Sequence, residues 1–254
     1  MPTIADIKLK PPKILLYSQP GAGKTAFALT AGASAQVIDL DDGLITGKSL
    51  KDKWFSERQK VDVKFCHEES ISSAVAFMKA QSYIESVAKE VKEGKYPFKV
   101  LIIDSVTKMI SYGMRYVLSS AGQLGKAPFQ QHWGILTTLL ENTLLTIKTL
   151  PLTVLLLAHQ QIDEEEGIRK VEMAIPGKRM PELFSQMADE ILYLKVRGFN
   201  PVERTIQTMS SGTVTCRSRT NARDGMNADE GFWSLMKRMG FDQNFNSVLI
   251  DPPF

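Results

Sequence analysis

Cysteine is scarce in this chain of 254 residues, which has only Cys66 and Cys216, far apart in sequence. Two distant cysteines exclude a disulfide framework, and neither belongs to a pair at metal-ligand spacing. The histidines are also few. His67 adjoins Cys66, while His132 and His159 are scattered, so ordinary packing is expected for all of them rather than a metal centre. An excess of one charge is missing too. The formal net charge of +3 permits contact with nucleic acid without arguing for it, and any such site must be a local patch. Long apolar runs are absent. The first residues, MPTIADIKLKPPK, lack the apolar stretch of a signal peptide, and no segment is long enough to span a bilayer, so a cytosolic protein without a membrane partner is expected. No repeat and no rich linker divides the chain. The expectation is one domain over 1–254, with 1–12 as an N-terminal extension and 224–254 as a C-terminal tail.

What the chain does have is a core. Hydrophobic residues make up 43% and charged residues 23%, values that suit a globular α/β domain. Lys13–Tyr17 is a short apolar run entering Ser-Gln-Pro-Gly, which reads as a buried strand and a tight loop. Ala26–Ala31 continues as a helix. Gln36–Asp39 is a second strand ending among acids, and Val61–Phe65 a third. Ile71–Val91 carries a helical stripe closed by Gly94 and Pro97. Lys99–Ile103 is a buried strand that stops at Asp104, and a helix to about Ser119 follows. The pattern over Phe129–Leu150 predicts an amphipathic helix with Phe129, Trp133, Leu136, Leu140, Leu144 and Ile147 on one face. Leu152–Ala158 is uniformly apolar, as a strand covered on both faces must be. His159 to Lys178 reads as a polar, flexible loop. Ile191–Val196, Glu203–Thr208 and Gly212–Arg217 read as further strands, antiparallel or meandering because no helix is evident between them. Strand–helix alternation through Ala158 therefore predicts a mainly parallel twisted sheet flanked by helices, with antiparallel strands on the C-terminal side. Ligands of such sheets bind beyond the carboxyl ends of the strands. Ser18, Asp39–Asp42, Asp104 and His159–Gln160 all fall at ends of that kind.

The chemistry is concentrated in five places. Ser18-Gln-Pro-Gly-Ala-Gly-Lys-Thr25 has the spacing of a P-loop, in which backbone N–H groups wrap phosphates, a lysine reaches the β and γ phosphates and a hydroxyl binds magnesium. The nucleotide-binding set is Ser18, Pro20, Gly21, Ala22, Gly23, Lys24, Thr25 and Ala26, with ATP and Mg2+ as the cofactors. Serine stands at position 18 where glycine is usual, and it is small enough to keep the cradle. Lys99-Val-Leu-Ile-Ile-Asp104 is an apolar strand delivering a carboxylate to the magnesium shell, so Thr25 and Asp104 form the metal pair. Asp41, or its neighbour Asp42, either polarises the attacking water or belongs to a solvated acidic loop. Gln160 either senses the γ-phosphate or is an amide at a loop entrance. Arg217 and Arg219, one residue apart, point the same way in an extended chain. They act either as arginine fingers on a neighbouring subunit's nucleotide or as a basic surface.

Taken together these residues resemble the RecA-like P-loop ATPase core from about Lys13 to Arg223. Val-Ile-Asp-Leu-Asp41 is similar to the RecA strand that ends in the catalytic glutamate, with the shorter Asp in its place. Leu-Ile-Ile-Asp104-Ser105 is similar to the magnesium-site motif, and Ala-His-Gln160 to the glutamine that opens the first DNA-binding loop. Arg217-Ser-Arg219 resembles the Lys-x-Arg finger of DnaB-type hexameric helicases. Ile175-Pro-Gly-Lys178-Arg-Met-Pro-Glu-Leu183, followed by Ala188-Asp-Glu-Ile-Leu, resembles the phage AAA-type ATPases of the Sak class, described as single-strand annealing proteins. The resemblance implies an ATPase that acts on single-stranded DNA in recombination or annealing, in the host cytoplasm if phage-encoded. It also implies a homo-oligomer, ring or filament, and a single-strand binding protein as a possible partner. Arg169, Lys170, Lys178 and Arg179 are the DNA-contact candidates. The competing reading is a P-loop ATPase that loads or remodels a replication protein such as a helicase. A small-molecule kinase would need a lid, and no lid signature is present.

Overall fold

A computed structural model of the chain describes residues 10–242, apart from 71, 166, 178 and 199. The apolar runs become β1 (Lys13–Ser18), β2 (Ala35–Asp39), β3 (Asp62–Phe65), β4 (Val100–Asp104) and β5 (Thr153–Glu165). Five more strands follow: β6 (Ile168–Met173), β7 (Glu190–Arg197), β8 (Glu203–Gln207), β9 (Arg217–Ser218) and β10 (Met226–Asn227). The helices are α1 (Lys24–Ala28), α2 (Ile45–Ser49), α3 (Phe55–Arg58), α4 (Ala76–Lys92), α5 (Val106–Ser120), α6 (Gln130–Thr149), α7 (Arg179–Met187) and α8 (Phe232–Arg238). The sheet runs β10-β8-β7-β1-β5-β4-β2-β3, with β6 paired to β5 and β9 to β7. Every pair from β7 through β3 is parallel; β8, β9 and β10 join antiparallel. This is the expected α/β architecture. Among the described residues no helix is long and apolar enough to cross a membrane.

Alternation along the central strands explains their unbroken apolar sequences. Leu15, Tyr17, Leu101, Ile103, Val154 and Leu156 face α4, α5, α6 and α7. Ile14, Leu16, Val100, Ile102, Leu155 and Leu157 face the opposite layer, built from α1 and α8. A strand covered on both sides has no position for a polar residue until it reaches the sheet edge. That is why, apart from Lys13 and Thr153 at the amino ends of β1 and β5, the polar residues of β1, β4 and β5 gather at their carboxyl ends.

Several local expectations change, among them the start of the helix expected over Ile71–Val91, which begins at Ala76. The stretch after His159 is not a loop: β5 continues to Glu165, turns at Gly167 and returns as β6, an antiparallel hairpin that pairs Asp163 with Lys170 and Glu164 with Arg169. Lys178 lies outside the described residues. A helix, α7, stands between this hairpin and β7, so β7 lies parallel to β1 rather than in a meander. Pro181 masks that helix in the sequence, yet it sits in the first turn, where its missing N–H costs nothing. Of Gly212–Arg217 only the last residue enters a strand. In α6, Phe129 is 61% exposed, and the buried face starts instead at His132, whose Nδ1 accepts the Phe129 N–H at 3.0 Å.

The described part of the expected tail is core. β10 extends the sheet beside β8, and Phe232 of α8 is fully buried against Phe27 of α1, its N–H donating to Thr30 Oγ1 at 2.7 Å. Phe232→Ala should therefore lower the unfolding free energy by about 3–5 kcal/mol in urea denaturation. A loss below about 1 kcal/mol would mark this segment as a dispensable tail instead.

Candidate nucleotide site

The loop between β1 and α1 is shaped by two glycines in left-handed conformations, Gly21 at φ 75° and Gly23 at φ 102°. Side chains are strongly disfavoured there. Ser18 is still part of β1, so it needs no such freedom, which explains how serine stands at that position. Its Oγ accepts from Lys24 Nζ at 3.1 Å, and the carbonyls of Ser18 and Gln19 accept from the same ammonium at 3.2 and 3.3 Å. Lys24 is thus folded into the loop and nearly buried. Burial pulls its pKa down, and the negative charges of Asp104 and Asp41 oppose that shift.

The sheet register brings the other side chains to this edge. Asp39 lies beside Asp104, Asp104 beside Leu157, and Ser18 beside His159. Thr25 Oγ1 donates to Asp104 Oδ2 at 2.6 Å, joining the helix after β1 to the end of β4 across the intervening β5. Asp104 is 3% exposed. Burial pushes its carboxyl up to about 6, the Thr25 hydrogen bond works against that shift, and Asp41 and Asp39 add to it. A hydroxyl and a carboxylate are the hard oxygen donors that a magnesium ion takes.

Asp41 is the acid that faces this cleft. Its Oδ2 lies 3.0 Å from His159 Nε2, and Lys108 Nζ is 4.0 Å from its other oxygen. The His159 hydrogen bond holds the Asp41 carboxyl below its ordinary range, despite partial burial. Asp42 is exposed with φ 54° and lines a separate cavity of about 520 Å³. Gln160 turns to the other face of β5, where its Oε1 accepts from Tyr193 at 3.0 Å. His159 therefore occupies the cleft, and its backbone N–H donates to Thr107 Oγ1 at 3.0 Å. The odd–even alternation of a strand makes His159 and Gln160 mutually exclusive at one face. Asp39 is spent on its own loop, with Oδ1 accepting the N–H groups of Asp41 and Asp42 at 3.1 and 3.0 Å. His67 also approaches this turn, so that ligand atoms of Asp39, Asp42 and His67 lie within 4.8 Å of one another, a grouping the sequence did not reveal.

The two expected finger arginines lie elsewhere. β9 pairs with the start of β7, Arg217 opposite Ile191, while the phosphate loop follows the end of β1. They sit at the opposite edge of the sheet from the loop, on the order of 10–15 Å away along the strands. Arg217 donates to the carbonyls of Ser185 and Ala188 and so closes the end of α7, while Arg219 is half exposed and ion-paired with Asp189 at 3.1 Å. A different arginine reaches the loop: Arg204 of β8 donates from Nε to the Ala22 carbonyl at 3.0 Å. Its strand was legible in the sequence, but only the antiparallel pairing of β8 with β7 shows that its first residues return to the loop's edge. Lys24, Thr25, Asp41, Asp104, His159 and Arg204 share one cleft of about 300 Å³.

Asp104 gives this site a measurable cost. A folded-state pKa raised from 3.8 to about 6 means that the folded chain binds the proton more tightly than the unfolded chain. Stability therefore falls as pH rises through that window, and the buried charge remains as a penalty above it. Asp104→Asn should raise the unfolding free energy at pH 8 by on the order of 1–3 kcal/mol, with the gain vanishing near pH 4. Denaturation curves at the two pH values check this; no gain at pH 8 would contradict it.

Comparisons with known proteins bear on the family and the fold. A family model described as an AAA domain matches residues 10–220. No curated protein matches the chain. Among solved structures, a prototypical ATPase from the type III secretion system of pathogenic bacteria is similar with a TM-score of 0.50 and 14% identity, covering 73% of this chain and 51% of that one. The chain thus spans about half the length of that ATPase, and at this identity the likeness concerns the fold, a RecA-like P-loop core. The chain belongs to the AAA domain family and has the fold of a P-loop ATPase.

Proposed function

We propose that this chain binds ATP with magnesium, hydrolyses it, and uses the cycle to act on single-stranded DNA in recombination or strand annealing. The observation that carries the ATP reading is the Thr25–Asp104 hydrogen bond beside a glycine-shaped loop with a buried lysine. In this reading the N–H groups from Gly21 to Ala26 wrap the phosphates, with Ser18, Pro20 and Ala22 shaping the loop, and Lys24 exchanges its carbonyl acceptors for phosphate oxygens. Thr25 and Asp104 hold magnesium, which neutralises charge on the β and γ phosphates. Asp41, kept ionised by His159, orients the attacking water through its charge. His159 takes the sensing place expected of Gln160. Because Arg217 and Arg219 lie at the far sheet edge, any part they take in hydrolysis is played on a neighbouring subunit's nucleotide, in a ring or filament. Arg219, being half exposed, is the better placed of the two.

The DNA part is supported by the resemblance of the motifs to phage annealing ATPases and by one structural feature. β5 runs unbroken from His159 in the cleft into the β5–β6 hairpin, so a change at the nucleotide reaches the hairpin through a single strand. A second reading, in which the ATPase loads or remodels a protein such as a helicase, is favoured by the charge of that hairpin. It carries Asp163, Glu164 and Glu172 against Arg169 and Lys170, and Arg179 beyond it is paired with Glu141 at 2.5 Å. An acidic hairpin repels a phosphate backbone and suits a basic protein surface.

Filter binding of a single-stranded oligonucleotide, with and without ATP, separates the two. The DNA reading predicts ATP-dependent retention that falls with salt, with a shallower salt slope when Arg169 and Lys170 are both replaced by alanine. Absence of retention in a protein that hydrolyses ATP would favour the protein-remodelling reading.

A further inference from the structure

We infer that Arg204 holds the nucleoside half of the nucleotide bound in its own subunit. The inference rests on the ATP reading above and adds to it a residue and the part of the ligand it recognises. The cleft has two shoulders. On one, Thr25, Asp104, Asp41 and His159 gather from α1, β4, the loop after β2 and β5, all at or beyond β1 on the β5 side. Magnesium and the terminal phosphate would be held there, because that is where the hydroxyl, the carboxylates and the histidine stand. The other shoulder is made by β7 and β8, on the opposite side of β1. A triphosphate with its terminal end on the first shoulder leaves its sugar and base over the second.

Among the described residues of that second shoulder, Arg204 is the cation that lines the cleft. β8 pairs antiparallel with β7, Arg204 opposite Val196 near the end of β7, and β7 lies parallel to β1. That topology returns the start of β8 to the edge where the loop sits. The guanidinium is fixed by one bond, from Nε to the Ala22 carbonyl at 3.0 Å. Nε also lies 3.3 Å from where a Cβ on Gly23 would stand, so glycine at 23 leaves the room in which the guanidinium lies against the loop. The two terminal nitrogens of Arg204 make no hydrogen bond or ion pair among the described residues, although the residue is half-buried and lines the cleft. A guanidinium tethered at Nε with its outer nitrogens uncommitted presents a flat cationic face and two donors. That combination fits a heteroaromatic base and the oxygens of a sugar. Ala228 and Asp229, just after β10, continue the cleft beyond it.

The test compares three probes in magnesium buffer by calorimetric titration: ATP, ADP and inorganic tripolyphosphate. Arg204→Ala should weaken ATP and ADP by the same factor, about 10-fold or more, and leave tripolyphosphate within about 2-fold. In turnover the loss should fall on KM, with kcat changed far less. Arg204→Gln keeps a donor for the Ala22 carbonyl and provides the same comparison if the alanine variant does not fold. An equal loss for tripolyphosphate would show that Arg204 merely braces the loop. A collapse of kcat with ADP affinity intact would place it on the terminal phosphate. Either result overturns the inference, as does unaltered ATP and ADP binding in both variants. Wild-type protein that binds no ATP would overturn the ATP reading itself.

Discussion

The register of three parallel strands, β1, β5 and β4, governs this molecule. The 2.6 Å contact between Thr25 and Asp104 joins chain segments that are not neighbours in the sheet, and it exists only because β5 lies between them in one alignment. A slip of one residue in β5 would turn His159 to the wrong face and displace Asp104 relative to Thr25. The apolar part of β5, Val154–Ala158, tolerates no such slip, because both its faces are covered and the polar side chains that follow it must emerge at the sheet edge. Burying Leu155, Leu156 and Leu157 contributes about 1.5–3 kcal/mol each, which offsets the cost of carrying a carboxylate such as Asp104 into the same interior.

That cost has a purpose in the proposed chemistry. A solvated carboxylate would already be satisfied by water, whereas Asp104 is held dry, with one hydroxyl donor and two acidic neighbours. The arrangement is costly by itself, and on the proposed reading a dication bound there would make it favourable. Lys24 shows the matching strain in the opposite sign, a buried ammonium resting on carbonyls and a hydroxyl that a phosphate can replace. On the proposed reading, the two groups hold electrostatic interactions that a magnesium–nucleotide complex would complete.

Much of this was legible in the sequence because the strongest signals are local. A glycine-rich loop between a strand and a helix needs only eight residues to declare itself, and apolar runs ending in Asp39, Asp104 and His159 mark one sheet edge. What escaped depends on pairing between distant segments. The β5–β6 hairpin reads as a loop because its charged residues follow no apolar alternation, yet two of its cross-strand pairs, Asp163 with Lys170 and Glu164 with Arg169, join opposite charges. α7 was hidden by Pro181, and with it the parallel placement of β7. Arg204 and the choice between His159 and Gln160 were unreadable for the same reason: each depends on which strand lies beside which, and on which face a given residue emerges.

The central claim is that the loop and its lysine make a working magnesium–ATP site. The most direct measurement is phosphate release from ATP by wild-type protein and by Lys24→Ala, with and without magnesium, after both are shown to unfold at similar temperatures. The account predicts turnover in the wild type that requires magnesium and is reduced by on the order of 100-fold or more in the variant. Equal magnesium-dependent turnover in the two proteins would contradict it.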